Sequence, residues 1–148
     1  MASAVAPFAL LVAVLNAGAA AVGAWRWWRG LEPTSWFWRL VRGGQAAAIA
    51  LAVLAGALAL AGERPASGLF WLYVALPLAV ALIAEQLRIA SAQAELDARG
   101  LADAQAMRGL SDREQRDVVV AILRREMVVM TCACAVVVFL ALRAAGTA

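Results

Sequence analysis

The stretch Leu69-Phe70-Trp71-Leu72-Tyr73-Val74-Ala75-Leu76-Pro77-Leu78-Ala79-Val80-Ala81-Leu82-Ile83-Ala84-Glu85-Gln86-Leu87-Arg88 carries no charge before Glu85. A hydrocarbon core of roughly 30 Å is crossed at about 1.5 Å per residue, so about 20 predominantly apolar residues make one spanning helix. Lipid offers no hydrogen-bond partner to the backbone. Such a run must therefore satisfy its own N–H and C=O groups, which for a single segment means α-helix. Pro77 lacks one of those N–H groups, and the expected result is a kink that frees the carbonyl of Tyr73.

Three further segments meet the same test, at about residues 4–24, 42–61 and 127–142. The chain is 65% hydrophobic and only 16% charged, well below the quarter expected of a soluble domain. Its 148 residues leave room for one domain. The expected fold is thus all-α, a single four-helix transmembrane bundle over residues 1–148. The first span resembles a secretory signal in being apolar and ending in small residues. It lacks a positive n-region and is too long for an h-region, so it is read as a retained helix.

The separators are of two kinds. Arg29-Gly30-Leu31-Glu32-Pro33-Thr34-Ser35 and Gly62-Glu63-Arg64-Pro65-Ala66-Ser67-Gly68 are short breaks, with Ser35 expected to cap the second helix. The connection between the third and fourth spans is long and charged. Ile89, Ala92 and Leu96 continue the third helix past the bilayer, and Gly100 and Gly109 offer stops. Ser111-Asp112-Arg113-Glu114 is a capping-box pattern that starts a new helix, with Val118, Val119, Ile122 and Leu123 as its apolar stripe. Residues 89–126 are therefore expected to form a cytoplasmic helical hairpin that extends the bundle as a stalk.

Orientation follows from the basic residues, which are all Arg. Arg26, Arg29, Arg39 and Arg42 flank the first connection, and Arg88, Arg99, Arg108, Arg113, Arg116, Arg124 and Arg125 the third. Arg64 and Arg143 stand alone on the other side. Cytoplasmic loops are enriched in basic residues, so both termini are expected outside a bacterial cytoplasmic membrane. Trp25, Trp27, Trp28, Trp36 and Trp38 mark the inner boundary, and Trp71 and Tyr73 the outer one.

Composition excludes much chemistry. With no His, the chain cannot build a His-ligated haem, a His general base, a Ser-His-Asp triad or a His-bearing zinc site by itself. Cys132 and Cys134 are two apart, so a helix points them to nearly opposite sides, which suits packing rather than a metal pair. No phosphate-binding glycine loop or nucleophile elbow is present. No cofactor, no metal, no nucleic-acid partner and no catalytic residue are expected.

The polar residues inside the spans are the candidate sites, because each is costly in lipid and wants a partner. Taking Arg42 and Arg88 as inner boundaries, Gln45 and Glu85 lie one turn deeper on neighbouring helices, and Glu85 and Arg88 are i,i+3 neighbours. Arg42, Gln45, Glu85 and Arg88 read as an interhelical clamp; the functional alternative is a carboxylate that binds a cation or relays protons. Asn16 lies near mid-membrane and is expected to hydrogen-bond to a neighbouring helix. Trp25, Arg26, Trp27, Trp28, Arg29, Trp36, Trp38 and Arg39 read as interfacial anchoring, with an anionic-lipid or partner site as the alternative. Small residues four apart, Ala9, Ala13, Ala17 and Ala21 in the first span and Ala48, Ala52 and Gly56 in the second, favour close helix packing.

Trp27-Trp28-Arg29, Phe37-Trp38-Arg39 through Gly44-Gln45, Ala84-Glu85-Gln86-Leu87-Arg88, Leu96-Asp97-Ala98-Arg99-Gly100 and Arg124-Arg125-Glu126-Met127 together resemble a group of small, functionally uncharacterised integral membrane proteins of actinobacteria. That resemblance implies four spans and no particular activity. The expected role is a non-catalytic accessory or assembly subunit of a larger membrane complex. The alternative is a small homo-oligomeric transporter or channel lined by Glu85, Gln45 and Asn16.

Overall fold

A computed structural model describes residues 1–148, all in one helical bundle. Four helices follow in order: α1 (Ala2–Trp28), α2 (Ser35–Leu60), α3 (Leu69–Asp97) and α4 (Asp112–Thr147), with a short 3-10 turn at Ala106–Gly109. All four are long and apolar enough to cross a membrane. Around the bundle α1 packs on α2 and α4, and α4 packs on α3. α2 and α3 touch less extensively, and α2 and α4 hardly meet.

The buried positions explain the packing. In α1 they include Val5, Ala9, Val12, Asn16, Ala19 and Gly23; in α2, Phe37, Val41, Gly44, Ala48, Leu51 and Ala55; in α4, Met127, Met130, Cys134, Val137, Ala141 and Ala144. Each series advances by alternating steps of three and four, a 3.5-residue repeat that keeps one seam facing its neighbours in a left-handed bundle. A strict four-residue row instead drifts about 40° per step. Ala17 and Ala21 accordingly turn outward, while Ala9 and Ala13 stay buried. Large side chains occupy the outside, among them Leu10, Val14, Ile49, Val53, Leu82 and Phe139. Residues of every size are buried, from Ala9 and Gly23 to Phe37, Leu51 and Met127, and the small ones allow the close contact that supplies attraction where lipid removes the hydrophobic drive.

Two contacts bring helices especially close. A Cβ on Gly44 of α2 would meet Asn16 Nδ2 of α1 at 2.6 Å, and a Cβ on Gly23 would run into Thr131 of α4 and Phe37 of α2.

Each turn ends its helix in the same way. At the end of α1, Leu31 N donates to Arg26 O at 2.8 Å and Gly30 N to Trp27 O at 3.0 Å, with Gly30 at φ 66°. This is a Schellman motif, which needs a left-handed residue and so favours glycine. Gly62 and Gly100 repeat it after α2 and α3. Thr34, rather than Ser35, caps α2. Thr34 holds the extended backbone a cap requires, and its hydroxyl accepts from Phe37 N at 3.4 Å, whereas Ser35 is already helical. α2 also starts well before Arg42, so the Trp36–Trp38 segment belongs to the helix. α3 continues as helix through Pro77.

Beyond their apolar runs α3 and α4 continue side by side. Leu96, Leu101 and Val118 bury against one another there, supported by Met107, Leu110 and Ile122. Glu95 joins the two helices, meeting Arg99 at 3.0 Å and Arg125 at 3.2 Å. Ser111 and Glu114 form a reciprocal capping box that opens α4. The hydrogen bonds from Ser111 hold the Glu114 carboxyl below its ordinary pKa.

Candidate functional site

At the Arg-rich end of the bundle three helices place their polar side chains at one depth. α2 contributes Arg42 and Gln45, one turn apart, and Arg42 Nη1 donates to Gln45 Oε1 at 2.9 Å. α3 contributes Glu85. Its Oε1 accepts from Arg42 Nη1 at 2.8 Å and from Gln45 Nε2 at 3.1 Å. Its Oε2 meets Arg88 Nη2 at 3.1 Å. All four residues expected to form the interhelical clamp are thus brought together.

α4 adds a fifth residue. Arg88 Nη1 lies 3.9 Å from Glu126 Oε2, and Glu126 is half-buried. The guanidinium of Arg88 also sits 5.7 Å from the ring centroid of Trp38, while its Nε is buried without a hydrogen-bond partner. Sequence reasoning passed over Glu126 because it follows two arginines in a charged segment. The available signal was depth, since Glu126 precedes the apolar run of α4 as Arg88 follows that of α3.

The chemistry of this cluster is constrained by its own saturation. Two carboxylates face two guanidiniums, and both oxygens of Glu85 already accept from cationic or amide donors. Such a carboxylate is neutralised by its neighbours and offers a cation little net attraction. A charge-paired clamp across α2, α3 and α4 accounts for every contact.

Asn16 stands apart from it. Its side chain is buried and donates to Val12 O of its own helix at 2.8 Å, so the expected bond to a neighbouring helix is replaced by packing against Gly44. With no Cβ at Gly44, α2 comes close enough to cover the amide without supplying an acceptor. A cavity of only about 20 Å³ lies between Asn16 and Gln45 on the bundle axis. It is far too small to form a polar path through one copy.

The aromatic rim divides into two groups. Trp25, Trp27, Trp28 and Trp36 are exposed, with Arg29 stacked 4.6 Å from Trp25 and Arg39 5.3 Å from Trp36. Arg26 turns back and donates from Nε to Glu32 O at 2.5 Å. Trp38 is half-buried against Phe37 and under Arg88, so it belongs to the clamp more than to the rim. Cys132 is exposed and Cys134 buried.

The weak α2–α3 contact leaves an open cleft of about 340 Å³ on the bundle surface. Ile49, Leu78, Ala81 and Leu82 wall it, and Gln45 and Glu85 close its end. No protein-family model matches this chain, and neither the curated proteins nor the solved structures compared with it give a match.

Proposed function

We propose that this chain is a non-catalytic subunit or assembly factor of a larger complex in a bacterial cytoplasmic membrane. Both termini face outward, and the paired ends of α3 and α4 form a cytoplasmic stalk. The gathering of Arg26, Arg29, Arg39, Arg42, Arg88, Arg124 and Arg125 about the two connections at one end supports this orientation.

The observation that carries the proposal is the α2–α3 cleft. Three of the four neighbouring helix pairs pack along their length, while this one leaves an apolar-walled groove open to the surrounding lipid. A partner helix in that groove would gain the close packing that drives association in membranes. The test is purification from native membranes in mild detergent, with mass spectrometry of what co-migrates at fixed stoichiometry. Ile49→Trp, which fills the cleft from an exposed position, is expected to release the partner without lowering the melting temperature. Retention of every co-migrating protein by that variant would overturn the docking face.

A second reading is favoured by one detail, that Glu85 borders this outer cleft and not the axial cavity, while Gln45 lies between the two. Copies assembled face to face through α2 and α3 would line a shared path with Glu85, as a small transporter or channel. Glu85→Gln in vesicles separates the readings. Loss of flux with assembly intact supports transport; a fall in thermal stability with no flux to lose supports the clamp.

A further inference from the structure

A second concavity, of about 440 Å³, lies where the α1–α2 connection meets α4. Trp27, Gly30 and Leu31 form one wall, and Arg124, Arg125 and Val128 the other. Its position along the bundle is informative. Arg124 and Arg125 lie just before the apolar run of α4, separated from it by Glu126, Val128 lies within that run, and Trp27 belongs to the aromatic rim. The cavity therefore straddles the boundary between apolar and polar surface, the depth of lipid glycerol and phosphate groups.

Its charge is one-sided. The lining holds two guanidiniums and no carboxylate. Arg124 donates to the neutral carbonyl of Gly30, which leaves its charge uncompensated. Arg125 shares Glu95 with Arg99, so one carboxylate serves two cations. Glu126, next in sequence, is turned to Arg88, and Glu32 gives Arg26 only its backbone carbonyl. Guanidiniums in this state suit a phosphate, which they bind with charge-assisted hydrogen bonds. The apolar part of the wall, Leu31 and Val128, contributes nothing to a bare ion but continues naturally along an acyl chain.

We propose that this cavity seats the phosphate of an anionic phospholipid from the leaflet at the Arg-rich end. Arg124 and Arg125 hold the phosphate oxygens, Trp27 borders the glycerol region, and the chains follow Val128 toward the bilayer centre. The assignment is independent of any protein partner and of which side of the membrane that end faces.

Native mass spectrometry of the purified chain with equimolar phosphatidylglycerol and phosphatidylcholine of matched chains tests it. At about 1 kcal/mol per arginine near a charged lipid surface, two arginines predict a preference for phosphatidylglycerol of roughly 10- to 30-fold. Arg124→Gln is expected to reduce it to roughly three- to sixfold. Ala121→Glu, which puts a carboxylate into the cavity without touching an ion pair, is expected to do the same. Arg143→Gln, at the opposite end beside Tyr73, should keep the preference. Equal retention of both lipids by the parent chain would overturn the proposal, as would an unchanged preference in both cavity variants. Displacement of the lipid by millimolar inorganic phosphate would reassign the cavity to a free anion.

Discussion

Glu85 has both carboxylate oxygens engaged, so removing its charge leaves Arg42 without a carboxylate and Arg88 with only its longer contact to Glu126. Arg42 is 55% exposed, and water screens part of that loss. We expect Glu85→Gln to cost about 1–3 kcal/mol, seen as a lower melting temperature in detergent, and Gln45→Ala to cost less. Asn16 and Gly44 offer a sharper test. Gly44→Ala should destabilise by about 1–3 kcal/mol because its Cβ meets the Asn16 amide, and an Asn16→Ala background should relieve most of that cost. Equal penalties in both backgrounds would refute the close approach. The matching depths of Arg42, Gln45, Glu85 and Arg88 were readable in the sequence, because charges at the end of an apolar run locate themselves. The depth of Glu126 was readable in the same way, but its pairing with Arg88, the inward turn of Trp38 and the self-bonding of Asn16 were not, since each depends on which helix face meets which neighbour.

At the scale of elements, the spans were legible from hydrophobic length, whereas the interfaces were hidden. Polarity marks the buried face of a soluble helix, but here both faces are apolar and residues of every size are buried, so neither polarity nor volume distinguishes them. The three-four alternation of Ala, Gly and Val was present in α1 and α2, yet a count of four-residue rows in an Ala-rich chain obscures it. Helix ends were clearer, as glycine and the capping box are local signals. Gly30→Ala should cost about 1 kcal/mol through its left-handed backbone, readable as an earlier thermal transition. The capping box carries a pH dependence. Because Ser111 lowers the Glu114 pKa in the folded state, its contribution is complete above the ordinary value near 4.3 and is lost as pH falls through the lowered one. Protection factors in the first turn of α4, with exchange referred to the intrinsic rate at each pH, should fall on acidification over that range, and Ser111→Ala should abolish the dependence.

For the whole molecule, the arginine distribution makes topology the decisive expectation. A fluorescent-protein fusion inserted after Asp103 should glow in the cytoplasm, and an alkaline phosphatase joined at the C-terminus should be active outside. The reverse pattern would invert the proposed orientation while leaving the bundle unchanged. One feature of the bundle reaches across all of it: α4 is 36 residues of unbroken helix, roughly 54 Å long, clasped by α1 along one side and by α3 along another. A rod of that length is a lever. If its C-terminal end leans by a few degrees about the middle of its apolar run, its far end at Asp112 swings by roughly 2–3 Å, and Arg124, Arg125 and Glu126 move by about 1 Å. A lean at one end of such a rod would reach the other end as a displacement.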